Sequence, residues 1–171
     1  PHMKNPRLGR GMFIHALEGE AMNQFKDRRL RALLLCYGVV LLYLLYLQRL
    51  PGQAFAGRVN LVPGQTLRTY GRAAWFGLQA HRPALLRYAA GNLAGNLALF
   101  FPAGLLLPAR FPALRKFWRF FGVLAGSVAL VEVLQWVTGL GACDIDDWLI
   151  NLPGGLCGFA LWRRFFGKTS V

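Results

Sequence analysis

The sequence predicts an all-α, polytopic membrane bundle of about four spanning helices, with interfacial helices beside them. Three observations carry that reading. Apolar residues fill 55% of the 171 positions and charged residues only 16%, too few to clothe a water-facing surface. Four separate stretches reach about the 20 apolar residues that crossing hydrocarbon requires. The net charge of +13 punctuates those stretches instead of gathering into one patch, which points to a membrane and away from nucleic acid.

The elements follow in order. Pro1-His2 has the look of a tag remnant, with Met3 as the native start. Residues 1–29 are expected to form a cytoplasmic segment. Within it, 11–25 mixes Phe13, Ile14, Leu17 and Met22 with Glu18 and Glu20, the composition of either a short surface helix or disordered chain. Residues 30–171 are expected to be one membrane domain. Its first span, 30–47, has no charge from 32 onward and no small-residue cleavage site before Arg49, so it does not read as a cleaved signal. In the loop that follows, 66–79 spaces Leu67, Tyr70, Ala74, Trp75 and Leu78 as an interfacial helix would. The second span, 84–107, holds Arg87 near its start and Pro102, which cannot donate to the preceding turn and leaves a carbonyl in need of a partner. The third span, 117–138, has Glu132 well inside it. The fourth, 145–166, is acidic in its first turn and basic in its last.

Fourteen of the twenty Lys and Arg fall on one side of this arrangement: Lys4 to Arg31, the Arg110 to Arg119 loop, and Arg163 to Lys168. The positive-inside rule makes that side the cytoplasm, with both termini there. Arg49, Arg58, Arg68, Arg72, Arg82 and Arg87 run against the rule, which suits a first loop lying along or re-entering the bilayer. Glycines recur four apart at 91/95, 122/126 and 154/158, a spacing that lets helix backbones approach in lipid. Cys36, Cys143 and Cys157 are scattered and suggest neither a disulfide framework nor a zinc site.

Four of the seven acidic residues lie between Glu132 and Asp147. With this topology Asn92 and Asn96, Glu132 and Gln135, and Asp144, Asp147 and Asn151 each share a helix face at one outer depth. An ionised group in hydrocarbon is costly without a partner, so Glu132 should face the bundle interior. Asp144 also reads simply as a cap of the fourth helix, and Asn92 and Asn96 as interhelical glue.

These residues carry a resemblance. Asn60-Leu61-Val62-Pro63, Asn92 and Asn96 before Phe101-Pro102-Ala103-Gly104, Glu132 with Gln135, Asp144-Ile145-Asp146-Asp147, and Asn151 ahead of Gly154 or Gly155 and Gly158 together resemble the VanZ-like family of small bacterial membrane proteins, over about residues 60–166. The resemblance implies a bacterial cytoplasmic-membrane protein and an association with low-level resistance to glycopeptides such as teicoplanin. Pro153, and the absence of a basic residue in Gly139-Leu140-Gly141, depart from the family pattern.

Three functions fit. One is a site for an anionic, lipid-linked envelope molecule: Arg58, Arg68, Arg72 or Arg82 would hold a phosphate. Asn92, Asn96, Gln135 and Asn151 would bind the substrate, and Glu132, Asp147 and Asp144 would serve as acid–base groups. Asp144, Asp146 and Asp147 would suit Mg²⁺ or Ca²⁺. The second is a non-enzymatic helper of envelope machinery, since Ser127 and His81 form no nucleophile pair. The third is a proton-coupled transporter built on Glu132.

Overall fold

The computed structural model describes residues 26–47 and 59–167. The expectations for 11–25, Arg49, Arg58 and Lys168 lie outside the described residues. Five helices form the described chain: α1 (Lys26–Tyr46), α2 (Gln65–Gln79), α3 (Pro83–Arg110), α4 (Phe117–Val137) and α5 (Ile145–Phe166). A π-helical turn, Tyr43–Leu47, closes α1, and a short 3₁₀ turn, Pro112–Arg115, joins α3 to α4.

Helices α1, α3 and α4 are long and apolar enough to cross a membrane. At 1.5 Å per residue, the 28 residues of α3 span roughly 42 Å, more than the ~30 Å hydrocarbon layer. Helix α5, expected as the fourth span, matches them in length at 22 residues but is less apolar, carrying Asp146, Asp147, Arg163 and Arg164. It compensates by burial. Ile150, Asn151, Leu152, Gly154, Gly155, Gly158, Phe159 and Trp162 all lie inside the bundle.

Helices α3 and α5 make the most extensive contact in the fold and run parallel. Gly154 rides against the Leu97 carbonyl and Gly158 against that of Phe101, while Gly104 meets the α5 backbone at Gly155 to Phe159. No Cβ fits at these three positions, so glycine sets the helix separation. The other expected pairs behave differently. Gly91, Gly95, Gly122 and Gly126 have open space where a Cβ would stand: their spacing aligns them on a face, but among the described residues no close backbone approach is made there.

Helix α4 packs antiparallel to α5. Phe120 stacks on Phe159 at 4.5 Å, and Leu124 fills the space over Gly155. These residues, with Phe100, Val128, Leu152 and Trp162, form the core. Helix α1 lies on the outside, with Leu35, Val39 and Leu42 exposed. Its Tyr37 hydroxyl donates to the Leu99 carbonyl at 2.9 Å, in the turn that precedes Pro102. Helix α3 continues through that proline. Asp27 pairs with Arg31 at 2.7 Å and approaches Arg110 at 3.6 Å.

The segment expected to be interfacial forms α2, which folds back on α3 through a tight corner. His81 takes a left-handed φ of 49° there, and Gly77 abuts Leu86 and the Arg82 carbonyl. Trp75, Phe76 and Leu78 remain exposed. One element has no counterpart in the sequence expectations: Val59–Asn60 (β1) pairs in parallel with Cys143–Asp144 (β2), bringing Asn60 into register with Asp144.

Candidate functional site

The acidic segment sits where α4 ends, α5 begins and the β1–α2 turn crosses over them. Asp146 is fully buried. Its Oδ1 accepts from the Gly64 N–H at 2.6 Å, and its Oδ2 from those of Thr66 at 2.7 Å and Leu67 at 3.3 Å. Those amides open α2, whose own N-cap, Gly64 at φ 84°, has no side chain to satisfy them. An aspartate eighty residues away thus caps α2 from the start of α5. Asp144 caps α5 itself, accepting from the Asp146 N–H at 2.9 Å. Its carboxylate also accepts from Asn60 Nδ2 at 2.9 Å and from the Thr66 hydroxyl at 2.5 Å.

Glu132 is 5% exposed, and its Oε2 accepts the Asp144 N–H at 3.1 Å. This bond ties α4 to the β2–α5 junction. Across the parallel helix pair, Asn96 Nδ2 donates to Asp147 Oδ1 at 2.9 Å. Asn151 lies one turn further into the bundle, 3% exposed, and its Oδ1 has no hydrogen-bond partner. Tyr70 of α2 packs edge-on against Tyr88 at 5.8 Å. Burial, followed by the negative charge of Asp147, pushes its phenol up to about 12. The Cys143 thiol is raised as well, by burial first and then by Glu132 and Asp144.

Several expected site residues go elsewhere. Gln135 is buried, but its Nε2 reaches the Leu45 carbonyl at 3.3 Å, linking α4 to the end of α1. Asn92 is exposed and bonds back to the Tyr88 carbonyl at 2.7 Å within its own helix. Arg68 and Arg72 are exposed on α2. The three-aspartate metal arrangement does not form: Asp144 and Asp146 turn their oxygens to helix and turn donors, and Asp147 turns to Asn96. Among the described residues, no group of three His, Cys, Asp or Glu side chains could hold a metal ion.

Asn60 and Thr66 were the omissions. Both serve Asp144, and the available signal was the turn sequence Asn60-Leu61-Val62-Pro63-Gly64, in which Asn60 Oδ1 accepts from the Val62 N–H at 3.2 Å.

The chain is a multi-pass membrane protein in which Glu132, Asp144, Asp146 and Asp147 gather at the common end of three packed helices, and Asp144 and Asp146 bond to a surface helix over that end. It belongs to the VanZ/LLP1 family, whose profile matches residues 32–166. Protein VanZ of Enterococcus faecium is 35% identical over 77 residues, covering 43% of this chain and 47% of that protein. The chain therefore spans about half the length of the curated relative it matches. No solved structure matches.

Proposed function

We propose that this protein sits in the bacterial cytoplasmic membrane with both chain ends in the cytoplasm. Its acidic end then opens at the outer leaflet, where it binds an anionic, lipid-linked envelope molecule and so supports resistance to glycopeptides such as teicoplanin. The orientation is supported by the charges at the opposite end of the bundle. Arg28, Arg31, Arg110, Arg115, Lys116, Arg119, Arg163 and Arg164 lie at the helix termini there. The observation that carries the binding reading is the Asn96–Asp147 bond between α3 and α5, which lies below α2 with its exposed Arg68 and Arg72. The guanidinium groups suit a phosphate at headgroup depth. Asn96, Asp147 and Asn151 supply polar contacts deeper in, and Glu132 is the remaining acid–base group.

The test is direct binding of a polyprenyl phosphate to the purified full chain, together with teicoplanin susceptibility of cells that express it. Charge removal at Arg68 and Arg72 together should weaken phosphate binding by about tenfold or more, the scale of losing one charge-assisted contact. Unchanged binding and unchanged susceptibility in that variant and in Asp147→Asn would defeat the proposal.

A second reading, that of a non-catalytic helper, draws on a specific observation. Asp144 and Asp146 are committed to capping and turn contacts, and the exposed Ser127 and His81 stand on separate elements. Turnover of a polyprenyl-linked substrate by the purified protein would exclude it.

A further inference from the structure

A recess of about 540 Å³ lies between the start of α2 and the β1–β2 pair. That size falls within the roughly 300–1,000 Å³ of small-molecule sites. Asn60, Gln65, Thr66, Thr69 and Asp144 present polar atoms to an occupant. Part of this wall is fixed by its own bonds. Asn60 Nδ2 and the Thr66 hydroxyl both donate to the Asp144 carboxylate, which also accepts the Asp146 N–H. With three donors on it, that carboxylate calls for no cation, and its charge repels an anion from the recess. Gln65 and Thr69 are exposed. The Gln65 carboxamide carries donors and an acceptor, and the Thr69 hydroxyl, which donates to the Gln65 carbonyl at 3.0 Å, keeps its oxygen as an acceptor. A neutral ring bearing several hydroxyls, each able to donate and accept, matches such a wall.

The helix that walls the recess also carries the arginines. Gln65, Arg68, Thr69 and Arg72 stand three or four apart on α2 and share one exposed face. Arg72 follows Thr69 by a rise of about 4.5 Å, so a group seated against Thr69 can carry a phosphate to the guanidinium. We propose that the recess binds a sugar attached to the phosphate of the lipid-linked molecule. Ring hydroxyls bond to Gln65 and Thr69, and the glycosyl phosphate lies at Arg68 and Arg72. This sugar site rests on the phosphate-binding function proposed above and supplies the chemistry of the head group: a neutral, hydroxyl-rich sugar joined to the lipid through a phosphodiester.

The test compares the binding of two polyprenyl phosphodiesters of equal charge to the purified full chain in detergent, one esterified to a neutral hexose and the other to a methyl group. The hexosyl lipid should bind more tightly by about tenfold, the factor equivalent to one or two neutral hydrogen bonds. A double variant with Gln65→Ala and Thr69→Val should lose that preference and bind the methyl diester as the parent does, which also shows that it has folded. Gln65→Ala alone, which removes only an exposed carboxamide, gives the same comparison if the double variant does not fold. Equal affinity of the parent for the two diesters would overturn the sugar site and leave the phosphate reading standing. A hexose preference that survives in the folded variants would overturn it as well. If neither diester binds the parent, the phosphate reading fails and the sugar site fails with it.

Discussion

Replacing Asp146 by asparagine tests whether α2 is held over the bundle by a cap from another helix. The aspartate accepts three backbone N–H groups, at 2.6, 2.7 and 3.3 Å, from complete burial. Asparagine has the same shape but only one acceptor oxygen. Whichever way its amide turns, its NH₂ faces at least one of the Gly64 and Thr66 donors, and the formal negative charge opposite the helix N-terminus is lost. A buried donor left unpaired costs about 1–3 kcal/mol, and a helix-end charge contributes about 0.3–2 kcal/mol. The expected cost to α2 docking is therefore roughly 2–4 kcal/mol.

Amide hydrogen exchange reads this locally, because protection tracks the free energy of opening each segment. At 1.4 kcal/mol per decade, the amides of residues 64–67 should exchange roughly 30-fold to several hundred-fold faster in Asp146→Asn. The amides of the α3–α5 contact should keep their protection. Asp147→Asn serves as the comparison, since the Asp147 bond to Asn96 joins α5 to α3. If residues 64–67 exchange at the parental rate in Asp146→Asn, or if Asp147→Asn accelerates them equally, the trans-capping account fails.

Other expectations follow from the same geometry. Gly154→Ala and Gly158→Ala each drive a methyl group into a carbonyl of α3 and should lower the thermal midpoint in detergent, by about 1–3 kcal/mol of overpacking. Gly91→Ala and Gly122→Ala enter open space and should leave that midpoint unchanged. In a Cys36→Ser, Cys157→Ser background, Cys143 alkylation should reach half-maximum at a higher pH than a free thiol. Glu132→Gln should bring that pH down, because the Glu132 charge is one of the causes of the shift. Tyr70 should ionise near pH 12, against the ordinary value of 10, visible as a late phase in phenolate absorbance that is absent in Tyr70→Phe. The fold favours the neutral phenol, so the contribution of Tyr70 to stability is complete below pH 10 and disappears as the pH rises toward 12.

The spanning helices were legible because apolar length and terminal charge are local properties. The start of α5 showed itself through the acidic turn at Asp144 to Asp147, and α2 through the spacing of Leu67, Tyr70, Trp75 and Leu78. What the sequence concealed depends on neighbours. Glycine spacing identifies a helix face but not what lies opposite, so 91/95 and 122/126 looked equivalent to 154/158, and Gly104 was overlooked beside Pro102. The β1–β2 pairing involves two residues from each strand, too few for any alternating pattern to emerge. Asp146 looked like a metal ligand because three aspartates within four positions also make a sensible cation site. Only the fold reveals that its partners are the amides at 64–67.

That reassignment divides the acidic cluster by role. Helices α2 and α5 both begin at this end of the bundle, and their unpaired amide groups present partial positive charge to it. Asp146 answers the first helix and Asp144 the second, so backbone amides at two helix starts offset the charge of these closely spaced carboxylates. Substitutions at 144 and 146 should therefore register first as loosening of α2, and any loss of the resistance proposed above should follow that loosening. Glu132 and Asp147 hold positions on the walls of the helix bundle, one against the β2–α5 junction and the other against α3. A Glu132→Gln or Asp147→Asn protein that keeps α2 protected against exchange and yet loses the proposed phosphate binding or resistance would locate the working groups at those two carboxylates. If loss of resistance instead followed loss of α2 protection across all four positions, the acids would serve the fold alone.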